Sequence, residues 1–301
     1  MFMDARNRII LFLVLTYGFS SIFYVRIASE GKLRMLPVLG LMWCPGVAAL
    51  IVRLVSQRNL RGTGWKWGPT RWQVLSYLLP AGLCVAVYGF VWLTGIGSFT
   101  AAGLALGKEV GVKIPLPTAI VAIATLGLIQ GAVFTLGEEI GWRGFLVPEL
   151  AQVSSFTTTA LITGAAWSAY HYPLILFADY HGAAPKWFAL IVFTWMLVAS
   201  SFVYAWLRLK SGSVWTGVIL HASHNLFIQE IFDPLTKDHG LTRYVTTEFG
   251  VGLALAYTVV ALYFWRRRGE VAADRTNTSR TLAGDESAVP KSVTVAEAAQ
   301  G

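Results

Sequence analysis

The chain has 301 residues, 55% of them hydrophobic and only 13% charged. Soluble domains carry roughly 25% charged residues. This composition, with a mean hydropathy of +0.58, excludes an ordinary soluble domain and predicts an all-α, polytopic transmembrane helical bundle. The formal charge of +8 does not point to nucleic acid, because no basic cluster is interleaved with aromatics. Lys and Arg instead flank apolar runs, as they do beside cytoplasmic span ends. Cys44 and Cys84 sit in separate apolar runs without CxxC spacing, which argues against a disulfide framework or a thiolate metal site.

About eight spans are expected, each near the roughly 20 residues that cross a bilayer. The first apolar run, Ile9 to Val25, follows Arg6 and Arg8. It is long for a signal peptide and no clean small-x-small site follows, so it reads as a retained span. The second run, Leu36 to Val55, holds Pro45 and Gly46, which predict a kink. A basic segment with Arg58, Arg61, Lys66 and Arg71 precedes the third run, Trp72 to Leu93. Gly95 to Pro117 reads as an interfacial or re-entrant connection. The fourth span is expected from Thr118 to about Leu150, and the fifth from Thr157 to His171, stopped by Pro173. The sixth is Trp187 to Leu209, the seventh Val214 to Phe232, and the eighth Phe249 to Trp265. Residues 1–268 therefore form the bundle, with a core at about 118–232. Residues 269–301 turn polar without periodicity and read as a disordered cytoplasmic tail.

Arg53, Arg58, Arg61, Lys66 and Arg71 in one loop, and Arg266, Arg267 and Arg268 after the last run, weight one side of the bundle. Arg26, Lys32 and Arg34 weigh against them on the other. The balance predicts an integral protein of the cell membrane with both termini cytoplasmic.

Charge inside such a chain needs a reason, because intramembrane ionisable groups are expensive. Gly137-Glu138-Glu139-Ile140-Gly141-Trp142-Arg143 places three charges at the end of an apolar run. Glu139 and Arg143 are i,i+4 and share a helix face, which predicts a structural ion pair. Glu138 points about 100° away and is the candidate working carboxylate. Two later spans carry His171, in Trp167-Ser168-Ala169-Tyr170-His171, and His221 with Asn225, in His221-Ala222-Ser223-His224-Asn225. At about 1.5 Å per residue, Glu138, His171 and His221 lie roughly 16–21 Å from the same edge. His221 and Asn225, again i,i+4, are candidate hydrogen-bond donors to an oxyanion. His224 is expected to support the site by packing. His181 and His239 are expected to face solvent in loops.

Glu138-Glu139-x-x-x-Arg143, then His171, then His221-x-x-x-Asn225 resembles the three-motif signature of the CPBP (Abi) intramembrane proteases, which include the type II CAAX prenyl endopeptidases. The likeness runs from about Gly131 to Phe227. Trp167 departs from the family pattern, which usually has Phe four residues before the histidine. The resemblance implies an endopeptidase in which Glu138 and His171 activate a water and His221 and Asn225 stabilise the oxyanion. It further implies that Glu139 and Arg143 hold the site together. The implied partners are a peptide or lipidated-protein substrate and the lipid bilayer. A divalent metal such as zinc is left open: Glu with two His is a zinc-like set, yet His-Glu-x-x-His is absent and a glutamate-activated water needs no metal. The alternatives are a non-catalytic immunity or binding protein that retains the protease-like site, and an ion-coupled transporter. The latter would be expected to show repeated halves with matching broken helices.

Overall fold

The computed structural model describes residues 3–104 and 114–271. The expected tail therefore lies outside the described residues from 272 onward, as do residues 105–113 of the expected interfacial connection. At the tail boundary, the last long helix ends at Arg266, and after a turn at Arg267 residues 268–271 are again helical.

The apolar runs become helices α1 (Ala5–Glu30), α2 (Met35–Gln57) and α3 (Thr70–Thr94). A 38-residue helical segment, Leu116–Val153, follows. It consists of α4 (Leu116–Ala122), a π-turn at Ile123–Gly127, α5 (Leu128–Gly141), a π-turn at Trp142–Leu146 and α6 (Val147–Val153). Next come α7 (Phe156–Phe177), α8 (Lys186–Ser211), and α9 (Trp215–Asn225), which runs into a π-turn at Leu226–Phe232. The last is α10 (Val251–Arg266). Two strands, β1 (Gly97–Phe99) and β2 (Thr236–Asp238), pair antiparallel. The fold is an all-α bundle, and five helices (α1, α2, α3, the long segment and α8) are long and apolar enough to span a membrane. The apolar helix α10 is shorter than those five.

One expected boundary moves. The fifth span does not stop at Pro173 but continues to Phe177. Proline removes only its own N–H, and in a membrane bundle neighbouring elements restrain the helix through that gap. Tyr17 and Tyr24 of α1 donate to the Ala166 and Tyr170 carbonyls at 2.7 and 2.6 Å, pinning α7 along the turn that leads to its histidine.

The site is placed by a close helix crossing. α2 packs along α5, and α9 packs on both α5 and α3. A Cβ on Gly137 would lie 2.6 Å from Trp43 Cα, and one on Gly46 would lie 2.6 Å from the Gly137 carbonyl oxygen. Small residues let two backbones touch where lipid gives no hydrophobic drive for helix association. That contact fixes α5 directly before Glu138.

Candidate functional site

Glu138 and Glu139 occupy the last turn of α5, at 1% and 0% exposure. The π-turn at Trp142–Leu146 follows at once, a feature that often marks functional positions. Arg208 Nε donates to the Arg143 carbonyl at 2.8 Å, and Arg53 Nη2 donates to the Gly144 carbonyl at 2.9 Å. Arg208 also reaches the Gly62 carbonyl at 2.8 Å, so the Gly62–Thr63 turn is tied to the same feature. Arg53 and Arg208 look like span-end charges in the sequence; both are buried and hold backbone carbonyls around the π-turn.

The expected Glu139–Arg143 pair forms, Oε1 to Nη1 at 2.9 Å, with both side chains fully buried. The guanidinium lies between two aromatic faces, 3.9 Å from the Trp167 ring centroid and 3.8 Å from that of Tyr204. Cation–π contact of this kind is strengthened by desolvation. Glu139 has a second partner that its spacing does not foretell: His221 Nδ1 lies 2.9 Å from the same Oε1. Gly217, one turn before His221, leaves room for this, since a Cβ there would lie 2.5 Å from Glu139 Oε2.

Glu138 is held by two indoles. Trp142 Nε1 donates to Oε2 at 3.2 Å and Trp167 Nε1 at 2.6 Å. Trp167, which the sequence singles out only as a departure from the family's usual Phe, thus donates a hydrogen bond across helices. The signal that could have found it is the indole itself, since a buried tryptophan N–H needs an acceptor.

His171 Nδ1 lies 2.9 Å from the Trp167 carbonyl. A carbonyl only accepts, so Nδ1 carries the proton and Nε2 keeps its lone pair. The same logic applies to His221, whose Nδ1 faces a carboxylate. His171, His221, His224 and Asn225, with Trp167 and Tyr180, border a cavity of about 20 Å³. One water needs at least about 10–15 Å³, so this space suits a single water. Glu138 is not on the cavity wall; it reaches the cavity through Trp167. His224 Nδ1 pairs with the Tyr257 hydroxyl at 2.9 Å, consistent with a supporting place. His239 is exposed, whereas His181 is only half-exposed and pairs with the Ala184 carbonyl.

Among the described residues, no three His, Cys, Asp or Glu side chains converge as a metal-binding group. Glu138 Oε2 and Glu139 Oε1 each already face two nitrogen partners. The second oxygen of Glu139, Oε2, is buried without a hydrogen-bond partner among the described residues.

A bundle with five membrane-length apolar helices and a polar centre buried among them is an integral membrane protein. Residues 116–227 match the family described as type II CAAX prenyl endopeptidase Rce1-like. This match runs from the start of α4 into the π-turn after α9, contains all six charged or polar motif residues, and supports assignment to the CPBP/Rce1-like family. A CAAX-type intramembrane protease is the kind of protein that family supports. A search of curated proteins gave no match.

Proposed function

We propose that the chain is an intramembrane endopeptidase that hydrolyses a peptide bond of a membrane-associated or lipidated substrate. The observation that carries this reading is the meeting of His171, His221 and Asn225 on one cavity of single-water size, with Glu138 joined to it through Trp167. Hydrolysis needs a base for the water and donors where the oxyanion forms. His171 Nε2 takes the proton of the water. Glu138, one side chain away, is the counter-charge that makes this transfer favourable in a medium of low dielectric. Asn225 donates its amide N–H to the tetrahedral oxyanion. His221, its Nδ1 proton held by Glu139, borders the same space. His171 then passes the water's proton to the leaving amine as the tetrahedral intermediate collapses.

The test uses purified enzyme in detergent and a membrane-anchored fluorogenic peptide, with a lipidated and a non-lipidated version compared. Wild type should cleave, and Glu138→Ala, His171→Ala, His221→Ala and Asn225→Ala should each lose most of the rate while remaining folded. If all four variants cleave like wild type, the site assignment is wrong. If no version of the substrate is cleaved while the protein retains a biological phenotype, the immunity or binding reading replaces it.

A further inference from the structure

Tyr170 stands one residue before His171 and is buried where α1, α2 and α7 meet. Its hydroxyl donates to the Leu41 carbonyl of α2 at 2.5 Å and accepts from Ser20 Oγ of α1 at 3.1 Å. Its own carbonyl accepts from the Tyr24 hydroxyl of α1. The Tyr170 ring meets the Trp142 indole edge-to-face, with centroids 5.5 Å apart and planes at 77°. Phe12 of α1 meets the same indole at 5.7 Å and 89°. Trp142 follows Glu138 by one helical turn and donates its Nε1 to Glu138 Oε2. The Trp167 indole donates to that same oxygen. α1 and α2 both lie outside residues 116–227, the stretch that matches the family.

Two features separate this arrangement from simple filling of space. Phe would fill the same volume, whereas a hydroxyl buried in an apolar bundle is unfavourable without partners. The Tyr170 hydroxyl is bonded as donor and as acceptor, to a different helix each time. A satisfied buried network of this kind stiffens what it joins. The second feature is at the carboxylate. Both indoles bond Oε2, and among the described residues Glu138 Oε1 has no hydrogen bond. Two donors on one oxygen fix the turn of the carboxylate about its last bond, so the places of the two indoles set where Oε1 points. An indole has a single N–H, and Trp142 spends it on Glu138. Packing of the ring against Phe12 and Tyr170 is what holds the indole in place.

We propose that Tyr170 is a positioning residue for Glu138, acting through the Trp142 indole. The hydroxyl ties the phenol ring to α1 and α2, the ring bounds the indole, and the indole N–H fixes Oε2. Without the hydroxyl the ring can shift between the helices, and the indole shifts with it. At 3.2 Å the Trp142 bond is the longer of the two on Oε2, against 2.6 Å for Trp167, and is the first to be lost. The carboxylate is then held at one point and can turn about it. The effect on rate is one of geometry, since small misplacements of a reacting group lower rates on the order of 10- to 100-fold. Two helices outside the family stretch thereby set the aim of a carboxylate inside it.

The kinetic arm of the test rests on the protease reading, and the spectroscopic arm on the structure alone. The experiment compares wild type, Tyr170→Phe, Trp142→Phe, the Tyr170→Phe/Trp142→Phe double variant and Tyr17→Phe. Tyr17→Phe removes a hydrogen bond from α1 to the Ala166 carbonyl of α7, and Trp142 takes no part in that bond. Cleavage of the anchored peptide and the tryptophan indole N–H resonances are both read, with the Trp142 signal assigned by its loss in Trp142→Phe. Tyr170→Phe should lower kcat on the order of 10-fold or more with KM within about twofold. It should also shift or broaden the Trp142 signal. The double variant should be no slower than Trp142→Phe alone, because Tyr170 acts through the indole. Tyr17→Phe should lower the melting temperature while the Trp142 signal and kcat stay near wild type. An unmoved Trp142 signal in Tyr170→Phe, additive losses in the double variant, or equal effects of Tyr17→Phe and Tyr170→Phe overturn the proposal. Should Tyr170→Phe fail to fold, Ser20→Ala, which removes only the donor to its hydroxyl, decides by the same signal. If wild type does not cleave, the protease reading fails, and the indole resonance still decides the positioning role.

Discussion

Glu139 and His221 are joined across two helices, Oε1 to Nδ1, at 2.9 Å. The carboxylate that balances Arg143 thus also fixes the tautomer of a histidine on the cavity wall. The ion pair and the tautomer of a cavity histidine share one oxygen.

Glu139→Gln should therefore harm the protein twice. It leaves a fully buried guanidinium without its counter-charge, a loss on the order of 3–5 kcal/mol, and it unties His221. Membrane abundance and thermal unfolding should both fall well below those of Glu138→Gln, which should insert and fold but not cleave. A fully active Glu139→Gln beside a Glu138→Gln missing from the membrane would show the two roles to be reversed.

Asn225 is half-buried and offers the cavity wall an amide. Asn225→Ala should lower kcat about 100- to 1,000-fold, the usual effect of removing one oxyanion donor, with KM little changed. Single-turnover cleavage measures it. A change confined to KM would place Asn225 in substrate binding instead.

Trp167→Phe restores the residue more usual in the family while removing the 2.6 Å bond to Glu138. The aromatic face over Arg143 is retained, so the loss should be that of one hydrogen bond to a buried charged group, about 1.5–3 kcal/mol. Trp167→Leu removes that face as well and should be less stable than Trp167→Phe. Equal melting temperatures for the two variants would dismiss the guanidinium stacking as a source of stability.

Gly217→Ala places a methyl 2.5 Å from Glu139 Oε2. The carboxylate must move, and overpacking of this kind typically costs about 1–3 kcal/mol. Cleavage should fall together with melting temperature. Wild-type values for both would mean that Glu139 has room to shift without consequence.

Topology is testable through the two cysteines, which are both buried and unpaired. In a chain lacking them, a cysteine at exposed Leu60 should be labelled by an impermeant maleimide only from the cytoplasmic side. The same holds for a cysteine placed at the C-terminus. Labelling of either from outside reverses the orientation.

Helix positions are legible in the sequence because apolar run length reports burial in lipid directly. The Glu139–Arg143 pair is legible because i,i+4 spacing is local. Other features depend on geometry that no spacing carries. The π-turn after Gly141 leaves the i,i+4 partners of Trp142 and Arg143 where a regular wheel puts them, but the side chains that take its carbonyls come from distant helices. Arg53 and Arg208 stand where span-end charges stand, yet both fold inward onto carbonyls 91 and 65 positions away. The Glu139–His221 bond depends on how closely α9 approaches α5. Gly217 permits that approach, but a lone glycine in an apolar helix does not announce it. Pro173 signals a helix end, whereas the packed bundle carries the helix past it.

The cavity beside the histidines has about 20 Å³ of space. A helical segment, about 10–12 Å across with its side chains, does not fit there, and neither does a tightly folded loop. On the protease reading proposed above, chains that unwind readily near the scissile bond should be cut, and those whose helix holds firm at that depth should be spared. Helix breakers in the substrate would then act as recognition signals, and a proline or glycine introduced near an uncut bond should convert a bystander into a target.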